Sequence, residues 1–185
     1  MSATREDHNP GTVVMDADAI GRALRRMAGE IAERNRGAAE LALVGIRRGG
    51  VPIAARLAGL LQSLEGREVP VGAVDITLYR DDASSALPSP RIGRSEIPFD
   101  VAAHTVLLVD DVLFTGRTVR AAIDALLDYG RPRAIQLVAL VDRGHRELPI
   151  QADFVGLTLS TRSDERVEVL LDPPGPDRVV LRQSL

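Results

Sequence analysis

The stretch richest in chemistry is Val106–Thr118, VLLVDDVLFTGRT. Apolar residues Val106–Val109 lead into two adjacent carboxylates, Asp110 and Asp111, and then into Thr115-Gly116-Arg117-Thr118. Such an apolar run reads as a buried strand, and open α/β folds bind ligands beyond the carboxyl ends of their strands. Small and hydroxyl residues opening a helix present free backbone N–H groups to an anion such as phosphate. Each exposed dipole contribution is only about 0.3–1 kcal/mol, so several donors must converge on a dianion. Taken alone, an Asp-Asp pair is more often the solvent-facing end of a strand before an N-capped helix. Adjacent strand residues point to opposite faces, so both carboxylates serve one ligand only where the chain is already turning.

Gly45–Gly50, GIRRGG, is a second glycine-rich turn. Arg47 and Arg48 supply guanidiniums suited to a diphosphate, and the glycines allow close backbone approach. As an isolated motif it equally fits an ordinary strand-to-helix turn with solvated arginines. Arg80 opens a polar stretch reaching Glu96 with almost no large apolar side chain. That composition fits both a lid closing over a reactive centre and a surface insertion. Asp142-Arg143 follows another apolar run, while His145, within Arg-Gly-His-Arg, reads as a surface residue rather than a general base.

Composition removes whole classes of function. The chain has 185 residues, 45% apolar and 26% charged, which suits one globular domain. All 23 basic residues are arginine, so a Walker A lysine, a Schiff-base lysine and the lysine of a receiver domain are excluded. The absence of cysteine excludes disulfides, thiol nucleophiles and thiolate zinc sites. A net charge of -3 leaves nucleic-acid binding to a local patch, and 3% aromatics argue against a base-stacking platform. His8, His104 and His145 are too far apart in sequence for a local metal motif. No stretch has the length of a membrane span and the polar start lacks a signal-peptide core, so a soluble cytoplasmic protein is expected.

Stepping outward, the pattern supplies the scaffold for these residues. Ile20, Leu24, Met27 and Ile31 recur at helical spacing between Asp16 and Arg34. Leu41–Ile46 reads as a buried strand, followed by a helix through Ile53, Leu57, Leu61 and Leu64 with Pro52 in its first turn. Val69–Tyr79 reads as a strand, Thr105–Asp110 as a central parallel strand, Arg117–Tyr129 as a helix stopped by Gly130, and Ala134–Val141 as another strand. Arg166–Leu171 and Arg178–Leu181 read as antiparallel edge strands around Pro-Pro-Gly-Pro. The alternation implies an α/β core with a mostly parallel sheet flanked by helices, and a small β-rich cap.

Val106–Thr118 resembles the phosphoribosyl diphosphate (PRPP) signature of type I phosphoribosyltransferases. With Asp75–Asp82 (DITLYRDD), Val109–Leu126 and Leu140–Ile150 (LVDRGHRELPI), the chain from about Arg22 to Val169 resembles the bifunctional pyrimidine operon regulator/uracil phosphoribosyltransferase family. The resemblance implies the type I fold as one domain over 1–185, with a hood built mainly from about 143–185 and a mobile loop over about 80–96. It implies transfer of phosphoribose from PRPP to uracil, giving UMP and diphosphate, in a homodimer or higher homo-oligomer. The alternative is an RNA-binding attenuator of the same fold with weak transferase activity.

On that resemblance Asp110 and Asp111 hold the ribose hydroxyls, and Arg80 contacts substrate from the mobile loop. Backbone amides of Val112, Leu113, Phe114, Thr115, Gly116, Arg117 and Thr118, with the two threonine hydroxyls, hold the 5-phosphate. Arg47 and Arg48 take the diphosphate, although many relatives carry an arginine where this chain has Gly49. Uracil docks against Val141, Asp142 and Arg143, with Val167 from the cap. Mg²⁺ arrives on PRPP without a protein cage. UMP-loaded protein binds leader mRNA of the pyrimidine operon through Arg26, His145, Arg146, Thr161 and Arg162. Here Leu157 replaces a usual lysine and Ser160 a usual proline.

Overall fold

The computed structural model describes residues 11–79, 94–171 and 174–183. Arg80, with most of the stretch assigned from sequence to a mobile loop, lies outside the described residues, as does His8. In chain order the elements are β1 (Thr12–Met15), α1 (Ala17–Asn35), β2 (Leu41–Ile46), α2 (Gly50–Glu65), β3 (Val71–Val74), β4 (Thr105–Leu113), α3 (Arg117–Leu127), β5 (Ala134–Asp142), β6 (Phe154–Thr158), β7 (Glu165–Leu170) and β8 (Arg178–Gln183). A 3-10 turn occupies Val101–Ala103.

The five central strands are parallel in the order β3-β2-β4-β5-β6. β4 explains why its sequence is apolar without alternation. Leu107 and Val109 join the buried cluster formed with α1 and α2, whereas Val106 and Leu108 join the cluster formed with α3. A strand covered on both faces has no polar side to present. The chain runs from β2 through α2 to β3 at one edge, then crosses back over β2 to β4. Winding therefore reverses between β2 and β4, and the crevice at their carboxyl ends is where an open α/β sheet takes ligand.

A small antiparallel sheet, β1-β8-β7, forms the hood. Val167 and Val179 tie it to the same buried cluster as α1 and α2. Two of the hood's three strands, β7 and β8, lie within 143–185. β6, within that range, extends the central sheet, and β1, from the other end of the chain, completes the hood. Neither strand was foreseen, because four- and five-residue runs carry too few periods to show alternation.

Three boundaries move. β3 stops at Val74, short of the expected Tyr79, because Asp75 turns the chain: its Oδ1 accepts the Thr77 N–H at 2.9 Å, and Tyr79 N–H donates to the Ile76 carbonyl at 2.9 Å. β4 continues past Asp110 to Leu113, paired with β5 as far as Asp142. α3 ends at Leu127, not Tyr129, where the Tyr129 N–H donates to Leu126 in a tightened last turn.

Candidate active site

Two helices begin beside the β2–β4 crevice, and the N-cap of each is a glycine with no side chain to close it. α2 begins after Gly49 and α3 after Gly116, both without a side-chain cap. α1, remote from the crevice, is capped by Asp16, whose Oδ1 accepts the Ala19 N–H at 2.7 Å. Apart from the Val51 N–H, which reaches the Arg48 carbonyl at 3.3 Å, and the Arg117 N–H, which reaches Thr115 Oγ1, the first-turn N–H groups of these helices are not taken by a cap. At α3 the loop adds to them: no hydrogen bond among the described residues takes the amides of Thr115 or Gly116. Gly116 holds φ at 93°, and a Cβ there would lie 3.3 Å from Ile150 Cβ, so a glycine lets the loop settle on the next turn.

Within this loop the predicted residues divide. Leu113 is buried in the core, so only its backbone faces the crevice, whereas Phe114 and Arg117 are exposed. Thr115 Oγ1 accepts the Arg117 N–H at 3.3 Å. Val112 donates its N–H to Asp111 Oδ1 at 2.9 Å, which turns that carboxylate along the strand end. Thr118 lies half-buried in the first turn of α3.

Because β4 continues through them, Asp110 and Asp111 leave the strand on opposite faces, yet the structure brings their carboxylates into one electrostatic unit. Asp110 is buried, 6% exposed, and its Oδ1 accepts the Asp111 N–H at 3.0 Å. Burial, and then the Asp111 charge beside it, raise the Asp110 pKa well above the usual carboxylate range. Asp111 reaches the α2 side instead, and a Cβ at Gly49 would stand 2.2 Å from its Oδ2. A Cβ at Gly50 would meet the Val109 carbonyl oxygen at 2.0 Å. The two glycines therefore let the β2 turn close on the end of β4, a need invisible until β2 and β4 are neighbours.

The two arginines of that turn part company. Arg47 leaves on the β3 side, where Nη2 meets Glu96 Oε1 at 3.3 Å and Nε is buried without a hydrogen-bond partner. It lines a cavity of 760 Å³ between α2, β3 and residues 94–98 that contains neither aspartate. Arg48 is exposed. Glu96 was missed from sequence, since nothing in Ser-Glu-Ile-Pro signals a partner forty-odd residues away; its N–H and C=O both pair with Ala73 at 2.8 Å.

After β5 the chain is laced tightly. Asp142 accepts the Gly144 N–H at 3.0 Å and Arg146 Nη2 at 2.6 Å. Arg146 also donates Nε to the Ile150 carbonyl and Nη1 to the Phe114 carbonyl, each at 2.8 Å. Glu147 and Leu148 N–H groups both reach the Thr115 carbonyl, at 3.0 and 3.1 Å. The β5 turn thus braces the β4 loop from outside. Arg143 is buried, its guanidinium 4.0 Å from the Phe114 ring centroid, and desolvation lowers its pKa. Val141 and Val167 meet in one buried cluster beneath the hood.

Of the residues expected at a nucleic-acid face, His145, Thr161 and Arg162 come together: His145 Nε2 lies 2.7 Å from the Thr161 carbonyl, and Arg143 links to Thr161 and Arg162. Arg146 stands beside them but spends its guanidinium on the brace. Arg26 lies instead on α1, donating to the Val155 and Gly156 carbonyls of β6 at 3.2 and 2.7 Å and to Glu30 at 2.9 Å. A cavity of 500 Å³ opens beside this group, lined by Asp142–Arg146, Ile150, Gln151 and Thr158–Thr161.

Comparisons with known proteins agree with this geometry. The phosphoribosyl transferase domain family matches residues 13–171. A bifunctional protein PyrR of Pelotomaculum thermopropionicum is 55% identical over 92% of this chain and 95% of its own. A bifunctional protein PyrR of Geobacter sulfurreducens is also 55% identical, over 94% of this chain and 98% of its own. Among solved structures, the hypoxanthine phosphoribosyltransferase of Trypanosoma cruzi has a TM-score of 0.69 at 19% identity, covering 94% of this chain and 97% of that one, which speaks to fold alone. The chain belongs to the phosphoribosyl transferase domain family and, within it, to the bifunctional PyrR proteins.

Proposed function

We propose that the protein transfers phosphoribose from PRPP to uracil, yielding UMP and diphosphate, and that UMP-loaded protein binds the leader mRNA of pyrimidine genes. The observation that carries the transferase reading is the pair Asp110–Asp111 set between two helix starts whose N-caps are the glycines Gly49 and Gly116. The 5-phosphate lies on the amides of Thr115 and Gly116 and the first turn of α3. The diphosphate lies at the start of α2, with Arg48 as its exposed guanidinium. As the bond from C1 to diphosphate breaks and N1 of uracil approaches, positive charge grows on the sugar, and the fixed carboxylates stabilise that charge more than the neutral sugar. Uracil is recognised at the turn Asp142–Arg143, below the hood.

The donor set fits Mg²⁺ carried on the diphosphate. Hard oxygens from two carboxylates suit that ion. When bound, the ion neutralises leaving-group charge. No helix among the described residues is long and apolar enough to cross a membrane. A homo-oligomer is part of the proposal, and light scattering of the pure protein tests it. The deciding experiment for the activity is a steady-state assay of UMP formed from uracil and PRPP with Mg²⁺, run beside Asp111→Asn. Wild-type turnover that the substitution lowers about 10²–10³-fold is expected; wild-type protein that forms no UMP overturns the reading.

A further inference from the structure

Phe114 stands between the turn assigned to uracil and the amides assigned to phosphate. Just before it, the Leu113 carbonyl accepts the Arg143 N–H at 3.1 Å, so the β4 loop and the β5 turn meet there. Just after it, the amides of Thr115 and Gly116 take no hydrogen bond among the described residues. The ring itself is held. The Arg143 guanidinium lies 4.0 Å from its centroid, and the His145 ring meets it edge-on at 5.8 Å. Arg143 is fixed in turn, 6% exposed and donating to Thr161 Oγ1 at 3.2 Å and to the Arg162 carbonyl at 3.0 Å. Arg146 secures the Phe114 carbonyl at 2.8 Å. Even so, 37% of Phe114 stays exposed, an apolar side chain with no hydrogen-bonding group on a loop that otherwise offers donors.

We propose that the Phe114 ring selects a pyrimidine over a purine by lying against the base edge that faces the 5′-phosphate, an inference that rests on the functional reading above. In an anti nucleotide that edge is C6–H and C5–H in a pyrimidine, but C8–H and N7 in a purine. The pyrimidine edge has no hydrogen bond to lose against a phenyl ring. N7 is an acceptor, and the ring takes it out of water without giving a donor in exchange. Selection therefore comes from what the purine loses, not from an added bond to uracil. The hold of Arg143 matters here, because a ring pinned on one face does not swing aside to let water back to N7.

Calorimetry on the full chain compares UMP with inosine 5′-monophosphate (IMP), which shares its ribose and 5′-phosphate and differs in the base. The wild type should bind UMP at least about tenfold more tightly than IMP, the scale set by one acceptor left unpaired. The 7-deaza analogue of IMP, with C–H in place of N7, should bind the wild type about tenfold more tightly than IMP does. Phe114→Asn, which offers N7 an amide donor, should narrow the preference for UMP over IMP about tenfold, whereas Phe114→Leu, still apolar, should keep it. Equal binding of IMP and its 7-deaza analogue to the wild type overturns the inference, and that comparison needs no substitution to fold. An unchanged preference in Phe114→Asn overturns it too, as does a preference lost equally in Phe114→Leu, since polarity would then not be the cause. Wild-type protein that takes up no UMP instead removes the functional reading, so the two failures are told apart.

Discussion

The turns after β4 and β5 leave adjacent strands of one sheet and treat their polar groups in opposite ways. After β5, Asp142 and Arg146 spend their hydrogen-bonding groups on Gly144, Ile150 and Phe114, and Arg143 is stacked and bonded at once. After β4, the amides of Thr115 and Gly116 take no hydrogen bond among the described residues. Donors facing a crevice stay open only if the loop bearing them cannot fold inward to satisfy them, since an unmet buried donor costs about 1–3 kcal/mol. The saturated turn supplies that stiffness through the Thr115 and Phe114 carbonyls. One turn keeps donors open; its neighbour holds it in that shape.

The largest effect expected on this contrast comes from the carboxylates of the open side. Asp111→Asn should lower kcat/KM for UMP formation about 10²–10³-fold, the range found when one preorganised charge-stabilising group is removed. A loss below tenfold in the steady-state assay would break the assignment of the β4 turn as the reacting end.

Next is the closeness of the two strand ends. Gly50→Ala places a methyl 2.0 Å from the Val109 carbonyl oxygen, which is backbone and cannot step aside. A stability loss of about 3 kcal/mol in urea unfolding is expected, at the upper end for overpacking. An unchanged midpoint would show that the crevice is looser than the contrast requires.

On the saturated side, Arg146→Gln removes charged donors from Asp142 and three carbonyls, with its side chain only 22% exposed. A loss of about 1–3 kcal/mol should appear as a lower unfolding midpoint. No change would mean that the brace contributes nothing to the fold.

The smallest effect concerns Asp110. Its pKa is raised in the folded chain, so between the ordinary carboxylate range and that higher value the unfolded chain holds fewer protons than the folded one. Stability therefore falls as pH rises across that window and stays lower above it. Asp110→Asn removes this burden while losing activity. Its Tm should exceed the wild-type value at pH 7 by about 2–4 °C for each kcal/mol recovered, and the gain should vanish below about pH 4. A gain that grew on acidification would reverse the assignment of burial as the cause.

Much of this was legible in the residues. The continuous apolar run Val106–Val109 announced a strand covered on both faces, and Thr115–Thr118 announced a helix start fit for an anion. The antiparallel pair near the end of the chain also read correctly. What was not legible was long-range. β1 and β6 are short and are strands only because β8 and β5 offer them edges. The Arg47–Glu96 pair, and the brace from Arg146 to Phe114, join residues whose spacing along the chain carries no period.

By itself, the amino-acid sequence determined which chemistry was available: an arginine-only basic set, no thiol, twin carboxylates at a strand end and glycines before two helices. Periodicity and residue type are local, and they settle local structure. Tertiary structure alone decided that Arg47 turns away from the aspartates toward Glu96, that Asp110 is buried while Asp111 meets Gly49, and that Arg143 stacks on Phe114. Those outcomes depend on which strands become neighbours, and strand order is chosen by burying both faces of the whole sheet at once.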